Sequence, residues 1–503
     1  MAKMSTLALT SRSATLLLAP NGAKYQLPES CPWTLKTAGS SSNVAQGVTE
    51  KTVVFLTDLA PETTYVFSTS SADLEFTTRT CSGLVNIQDF GANSALEDNQ
   101  TAIQAAIKAV PVGGTLRIPA GRYFSGPLFL KSNLTVLLDK DAVLAAISDW
   151  NKLQILPARD DQGRVIGTWE GLPEDSFASL INGIGCSDVT LTGTGIIDGG
   201  GDRGDWWSWP KETRRDARRP RTVFFAHSSN IQLSGIQVRN SPSWTIHPFK
   251  CQNFNAAAVK IENPPNSPNT DGLNPESCEG VSLTGLHFSV GDDCIAVKAG
   301  KRDGYNCDHL AASSDIHISH CLMERGHGAV VLGSEMSGDI TDVSIDNCQF
   351  VGTDRGLRIK TRRGRGGKVA RVSMTNVEMD HVATAVSANA FYFCDADGKS
   401  DAVQSRTPGP VDELTPQIKD IRISNVVASN VQLAAVALLG LPEAPLSQIY
   451  IENMQVTFDP HAEADVPLMA CQVPACRHQG VLAEYAEVIG EINIISKDSH
   501  DVD

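Results

Sequence analysis

Three carboxylates, one imidazole and two cations lie along the middle of the chain in four short motifs: Asn269-Thr270-Asp271-Gly272, Gly291-Asp292-Asp293, Gly326-His327-Gly328 and Arg358-Ile359-Lys360. Alone, an Asp-Asp pair reads as a solvated turn, and a His between glycines as a turn residue. As a cluster they suit hydrolysis of a glycosidic bond, which needs one protonated and one ionised carboxyl. Crowding like charges supplies that division, because one carboxylate raises the pKa of its neighbour. Arg358 and Lys360 stand two apart, so on a strand both side chains leave the same face. Two cations do not make a core, so they are expected beside the aspartates, where an Arg fork and a Lys point charge suit a carboxylate-bearing substrate.

Such residues meet only if the chain brings distant segments into line, and the flanking sequence repeats in a way that does so. A small polar turn followed by alternating apolar residues recurs around Val189, Ile231, Val281, Ile316, Val343, Val372, Ile421 and Ile449. Several successive anchors are 27 to 29 positions apart, and the interval of 50 between Ile231 and Val281 holds two coils of about 25. This period, with β-branched residues at alternate positions, predicts a right-handed parallel β-helix. Equivalent positions of adjacent coils then stack about 4.8 Å apart, and motifs separated by whole coils converge on one face.

A length of 503 residues is generous for a single domain, but a solenoid grows by adding coils. Charged residues make up 20 % and apolar residues 41 % without a long apolar run, which argues for a folded chain and against a membrane-spanning one. A formal charge of −15 disfavours nucleic acid as a partner. Two basic stretches, Arg214 to Arg221 and Arg358 to Lys368, are candidate rims of a site or ordinary solvated loops. The N-terminal Met1 to Pro20 lacks a continuous apolar stretch and a cleavage site, which suggests a cytoplasmic or periplasmic protein rather than a secreted one. The twelve cysteines include no Cys-x-x-Cys pair, so no zinc site is expected; Cys294, Cys321 and Cys348 read as reduced, stacked core residues.

Residues 1–81 differ from the rest. Short alternating strands flank Leu59-Ala60-Pro61-Glu62-Thr63-Thr64-Tyr65, which resembles the corner of fibronectin type III domains where a Tyr hydrogen-bonds back to the chain. Residues 82–503 form the second expected unit. It opens with a short amphipathic helix capped by Asp98 or Asn99, whose apolar positions 103, 106, 107 and 110 would cover the open end of the solenoid. Three long irregular stretches, 150–176, 201–220 and 391–418, interrupt the coils, and loops of that length in a regular solenoid are usually functional.

In this order and at these intervals the four motifs resemble the signatures of the polygalacturonase family of glycoside hydrolases. Gly193-Thr194-Gly195-Ile196-Ile197-Asp198-Gly199 and Ser241-Pro242-Ser243-Trp244-Thr245-Ile246-His247 add to the likeness. The resemblance implies an all-β fold, a β-helix preceded here by a small sandwich, and hydrolysis of α-1,4 bonds in galacturonate oligomers or pectin by inversion, with no cofactor and no metal. It implies Asp292 as general acid and Asp271 and Asp293 as the groups that hold and deprotonate water. His327 would maintain the protonation of the set. Asn269, Arg358, Lys360, Tyr392 and His247 would contact substrate. The loops and the N-terminal domain would wall one end of the groove and favour exo action. The alternatives are a rhamnogalacturonan or xylogalacturonan hydrolase, a calcium-dependent pectate lyase, and a carbohydrate-binding β-helix without activity. The oligomeric state is left open.

Overall fold

A computed structural model describes residues 3–20, 22–302, 304 and 306–495. The N-terminal unit consists of two antiparallel sheets. One holds Lys3–Leu9, Ala14–Ala19 and Val53–Leu56, the other Gln26–Thr37, Asn43–Lys51, Thr64–Thr69 and Asp73–Thr77. Leu16, Leu35, Tyr65 and Phe67 fill the space between them. The Tyr65 hydroxyl accepts a hydrogen bond from the Ala60 amide at 2.9 Å, which closes the corner read from the sequence.

The rest winds into parallel coils. Val189, Ile231, Phe254, Val281, Ile316, Val343, Val372, Ile421 and Ile449 pair in unbroken register, with Phe254 supplying the coil between the second and third anchors. The residue before each anchor explains the polar turns. Asp188, Asn230, Asn253, Gly280, Asp315, Asp342, Arg371, Asp420 and Gln448 all have φ between 54° and 71°. Asn, Asp and Gly enter this left-handed region at least cost, so they recur where each coil bends into its strand. Side chains from every coil form one continuous core, in which Cys251, Cys278, Cys294, Cys321 and Cys348 are buried free thiols.

Helix Gln100–Ala109 lies over the first coil with Ile103, Ala106 and Ile107 buried. Asp98 rather than Asn99 serves its start, accepting from the Gln100 amide at 2.8 Å, while Asn99 accepts from the Asn93 amide.

The N-terminal unit docks on a corner of the solenoid away from the motif-bearing strands. Ser13 meets Thr192 at 3.1 Å and Lys24 meets Glu378 at 2.8 Å. The contact is close because the coils present glycine there: a Cβ on Gly285 would stand 2.3 Å from Val53, and one on Gly235 would stand 2.6 Å from Phe55. Gly285→Val is therefore expected to destabilise the chain by about 2–4 kcal/mol, combining overpacking with a left-handed backbone. Denaturant unfolding measures this, together with protease sensitivity of the 78–84 connection. An unchanged midpoint would show the docking to be loose.

Candidate active site

The coil register explains why the four motifs meet. Leu273, Ile295, Val330 and Leu357 pair in sequence on successive coils. Counting back two residues makes Asp271 and Asp293 equivalent positions on adjacent coils, with Gly328 next in the column. Counting back three makes Asp292 and His327 equivalent, and their side chains meet, Nδ1 of His327 donating to Oδ1 of Asp292 at 3.1 Å. The same Oδ1 accepts from the Asp293 amide at 3.0 Å. The glycines around His327 keep this arrangement open. A Cβ on Gly326 would fall 2.7 Å from the Asp292 carbonyl, and one on Gly328 would press on Asp293 and Arg358. Without a side chain at 328, Arg358 reaches across to Asp293.

Arg358 and Lys360 do leave one face of strand Arg355–Lys360, and both close on Asp293: Nη1 of Arg358 donates to Oδ1 at 3.2 Å and Nζ of Lys360 to Oδ2 at 2.7 Å. Burial alone would raise the Asp293 carboxyl, but Lys360 and Arg358 overcome it and hold the pKa at about 2. Asp271 has no such cation in contact. It is 4 % exposed and accepts from Nδ2 of Asn274 at 2.7 Å; burial, then the charge of Asp292, pushes its pKa up to about 8. The hydrogen bond to Asp292 raises His327 to about 9. Crowding thus separates two of the carboxyls: Asp271 and Asp293 are both buried, but Asp293 is held by Arg358 and Lys360 and Asp271 is not, so the raised pKa falls on Asp271.

Asn269 lines the same pocket, its Oδ1 accepting from Nη2 of Arg219 at 2.6 Å. Tyr392 lies beneath both cations, 5.9 Å from Arg358 and 5.3 Å from Lys360. His247, expected at the substrate, is instead fully buried: its Nε2 donates to Oε2 of Glu276 at 3.0 Å, and it packs edge-on to Trp244, which stands between it and the groove. Burial lowers its pKa to about 4, so it packs as a neutral ring.

The pocket encloses about 280 Å³. Each predicted loop contributes to its wall: Glu170 from 150–176, Lys211 from 201–220, and Tyr392, Cys394 and Asp395 from 391–418. Met469, from the unpredicted connection between Leu446–Phe458 and Gln479–Glu484, adds a fourth side. No described residue of the N-terminal unit lines it, so the expectation that this unit walls the groove does not hold; docking on another corner keeps it away. The second basic run is not a free cationic rim either. Arg362 and Arg365 close on Asp395, joined by Lys301, while Arg363 binds Glu443, so the run ties down the 391–418 loop. In the first run Arg219 is buried and gripped by the carbonyls of Pro210, Pro242 and Pro268, and Arg221 lies between Trp169 and Trp244.

Sequence reasoning missed Lys298, Glu335 and Trp244 as pocket residues. A Lys in Ile295-Ala296-Val297-Lys298 at the parity of outward-facing Ala296 was the available signal.

A parallel β-helix carrying clustered carboxylates in a walled pocket is an architecture of polysaccharide-hydrolysing enzymes. The chain belongs to the glycosyl hydrolases family 28, whose family model matches residues 163–472. It is 33 % identical over 398 residues, 76 % of each chain, to a probable polygalacturonase of Vitis vinifera. It is 29 % identical over 310 residues, 59 % of this chain and 73 % of the other, to an endo-polygalacturonase of Pectobacterium parmentieri. In fold it is similar to a family 28 exopolygalacturonase of Yersinia enterocolitica, with a TM-score of 0.70 at 20 % identity covering 98 % of both chains. No helix of the described residues is long and apolar enough to cross a membrane.

Proposed function

We propose that the protein is an exo-acting galacturonan hydrolase that cleaves α-1,4 bonds between galacturonates by single displacement with inversion. Residues 82–503 form the catalytic unit and 1–81 a separate fibronectin type III-like sandwich. The observation that carries the reading is the walled pocket, in which stacked Asp271, Asp292 and Asp293 face cations from the following coils. Similarity to proteins named as polygalacturonases, together with the glycosyl hydrolase family, supports galacturonan as the polymer hydrolysed. The exo mode rests on the walls: about 280 Å³ lies just below the range of sites for drug-sized ligands and suits a chain end better than a crossing polymer. Short oligomers, such as a cytoplasmic or periplasmic enzyme would meet, fit such a pocket.

In this reading Asp293, held ionised by Lys360 and Arg358, takes a proton from the attacking water. Asp292 passes to the leaving oxygen the proton that the His327 imidazolium donates to it through Nδ1, which leaves His327 neutral until the proton is replaced from solvent. Asp271, carrying its own proton near neutrality, holds the water by hydrogen bonding instead of acting as a second base. Asn269 and Tyr392 line the sugar-binding surface.

Incubation with a series from trigalacturonate to polygalacturonate tests this. The expected outcome is steady release of one short product from every substrate, with viscosity of the polymer falling slowly. Early appearance of mixed mid-sized oligomers with a rapid viscosity drop would establish endo action, and absence of any cleavage would remove the activity.

A further inference from the structure

The cleaved bond joins two uronates, so an enzyme that reads both needs two cationic centres spaced along the groove. Arg358 and Lys360 lie on the C-terminal side, one and two coils beyond His327 and Asp293. The structure carries a second centre that no sequence motif announced. Lys298 follows Val297 on the strand bearing Asp293, and Val297 pairs with Leu332, which pairs with Ile359. Continuing that register by one residue sets Lys298, Gly333 and Lys360 in a single outward-facing column, the two lysines two coils or about 10 Å apart. The position between them has no side chain, so a ligand lying along the solenoid axis meets one lysine after the other.

Lys298 is built into the pocket. It is 4 % exposed, its Nζ lies 4.6 Å from the centre of the Trp244 ring, and it donates to Oε2 of Glu335 at 2.7 Å. Glu335 is fixed in turn by Ser334, whose hydroxyl donates to Oε1 at 3.0 Å. An ammonium has three donors, and this bond uses one of them. A buried ion pair costs desolvation that a pair of apolar side chains would avoid, so its presence on a pocket wall calls for a use.

We propose that Lys298, seated between Trp244 and Glu335, reads the carboxylate of the uronate on the N-terminal side of the cleaved bond, while Arg358 and Lys360 read its partner. Glu335 sets the direction of the ammonium and accepts from sugar hydroxyls. This rests on the galacturonan reading and adds to it a division of labour between two subsites.

The test uses the full chain and two digalacturonate or trigalacturonate regioisomers, each methyl-esterified on one of the two rings flanking the cleaved bond. The wild-type protein is expected to disfavour both esters by about 10- to 100-fold in kcat/KM, the value of a hydrogen bond to a charged group. Lys298→Met is expected to lose discrimination at one ring alone, chiefly through KM, and Lys360→Met at the other. Lys298→Arg restores part of it. Because Lys298→Met leaves Glu335 buried without its partner, the double variant Lys298→Met with Glu335→Gln is measured alongside, its fold checked by thermal unfolding. A purely structural role would slow all substrates equally. Folded Lys298 variants that keep full discrimination at both rings would overturn the assignment, whereas a wild-type protein that cleaves no galacturonide would overturn the activity itself.

Discussion

Asp292→Asn is expected to lower kcat on trigalacturonate by about 10³-fold or more while leaving the melting temperature close to that of the wild type. Positioned acid catalysis contributes on the order of 10²–10⁴, and the loss falls on the chemical step rather than on binding. The substitution is nearly isosteric. Its Oδ1 can still accept from the Asp293 amide and from His327, so the local structure keeps both hydrogen bonds that Asp292 makes. Only the proton that it would give to the leaving oxygen is gone. A second consequence separates this from general damage: oligomer affinity measured by calorimetry should change little. A pure, folded Asp292→Asn preparation with near-normal turnover would show that another group is the acid.

The second large effect concerns Asp271 and appears in stability. An unfolded Asp titrates near 3.9, whereas burial and the neighbouring Asp292 raise the native group to about 8. Between those two values the native state holds a proton that the unfolded state has lost, so stability falls as pH rises through the window. His327, raised to about 9, acts in the same direction at higher pH: its contribution is complete below its unfolded value near 6.5 and is lost as pH climbs through 9. Asp293, held near 2, works at the opposite end, its contribution lost only as pH falls through 2. Asp271→Asn removes the first of these penalties and can keep the contact with Asn274. It is therefore expected to be inactive yet more stable than wild type, by about 2 kcal/mol or more at pH 8 at 1.36 kcal/mol per pKa unit, with the gain vanishing near pH 4. Denaturant midpoints at the two pH values decide it. An equal shift at both would mean that Asp271 is ionised in the native pocket near neutrality.

The solenoid was legible because its signal is periodic. A left-handed Asp, Asn or Gly before a β-branched residue marks most bends, so the anchors could be aligned without coordinates. Arg371 and Gln448 stand at two of the same bends, and there only the flanking alternation identified the coil. The column that unites Asp271 with Asp293, and the one that unites Asp292 with His327, followed from the same alignment. What the alignment could not give was the surroundings of each side chain. Nothing in the order of residues says that Asp271 is buried without a cation in contact while Asp293 is buried against two, and that difference decides which of the two keeps a proton. His247 was misplaced for a related reason: its strand faces the groove side, but Trp244 folds over it. The roles of Arg362, Arg363 and Arg365 depended on acidic partners at Asp395 and Glu443, reached through loops whose paths carry no period.

Every group proposed to handle the bond comes from four consecutive turns of a one-dimensional stack, and their longest contact, from Lys360 to Asp293, spans two coils. Reaction and reach are therefore separable in this molecule. Coils gained or lost outside residues 271–360 would lengthen or shorten the platform for sugar units without disturbing proton transfer, so evolution can retune chain-length preference while the chemical centre stays as it is.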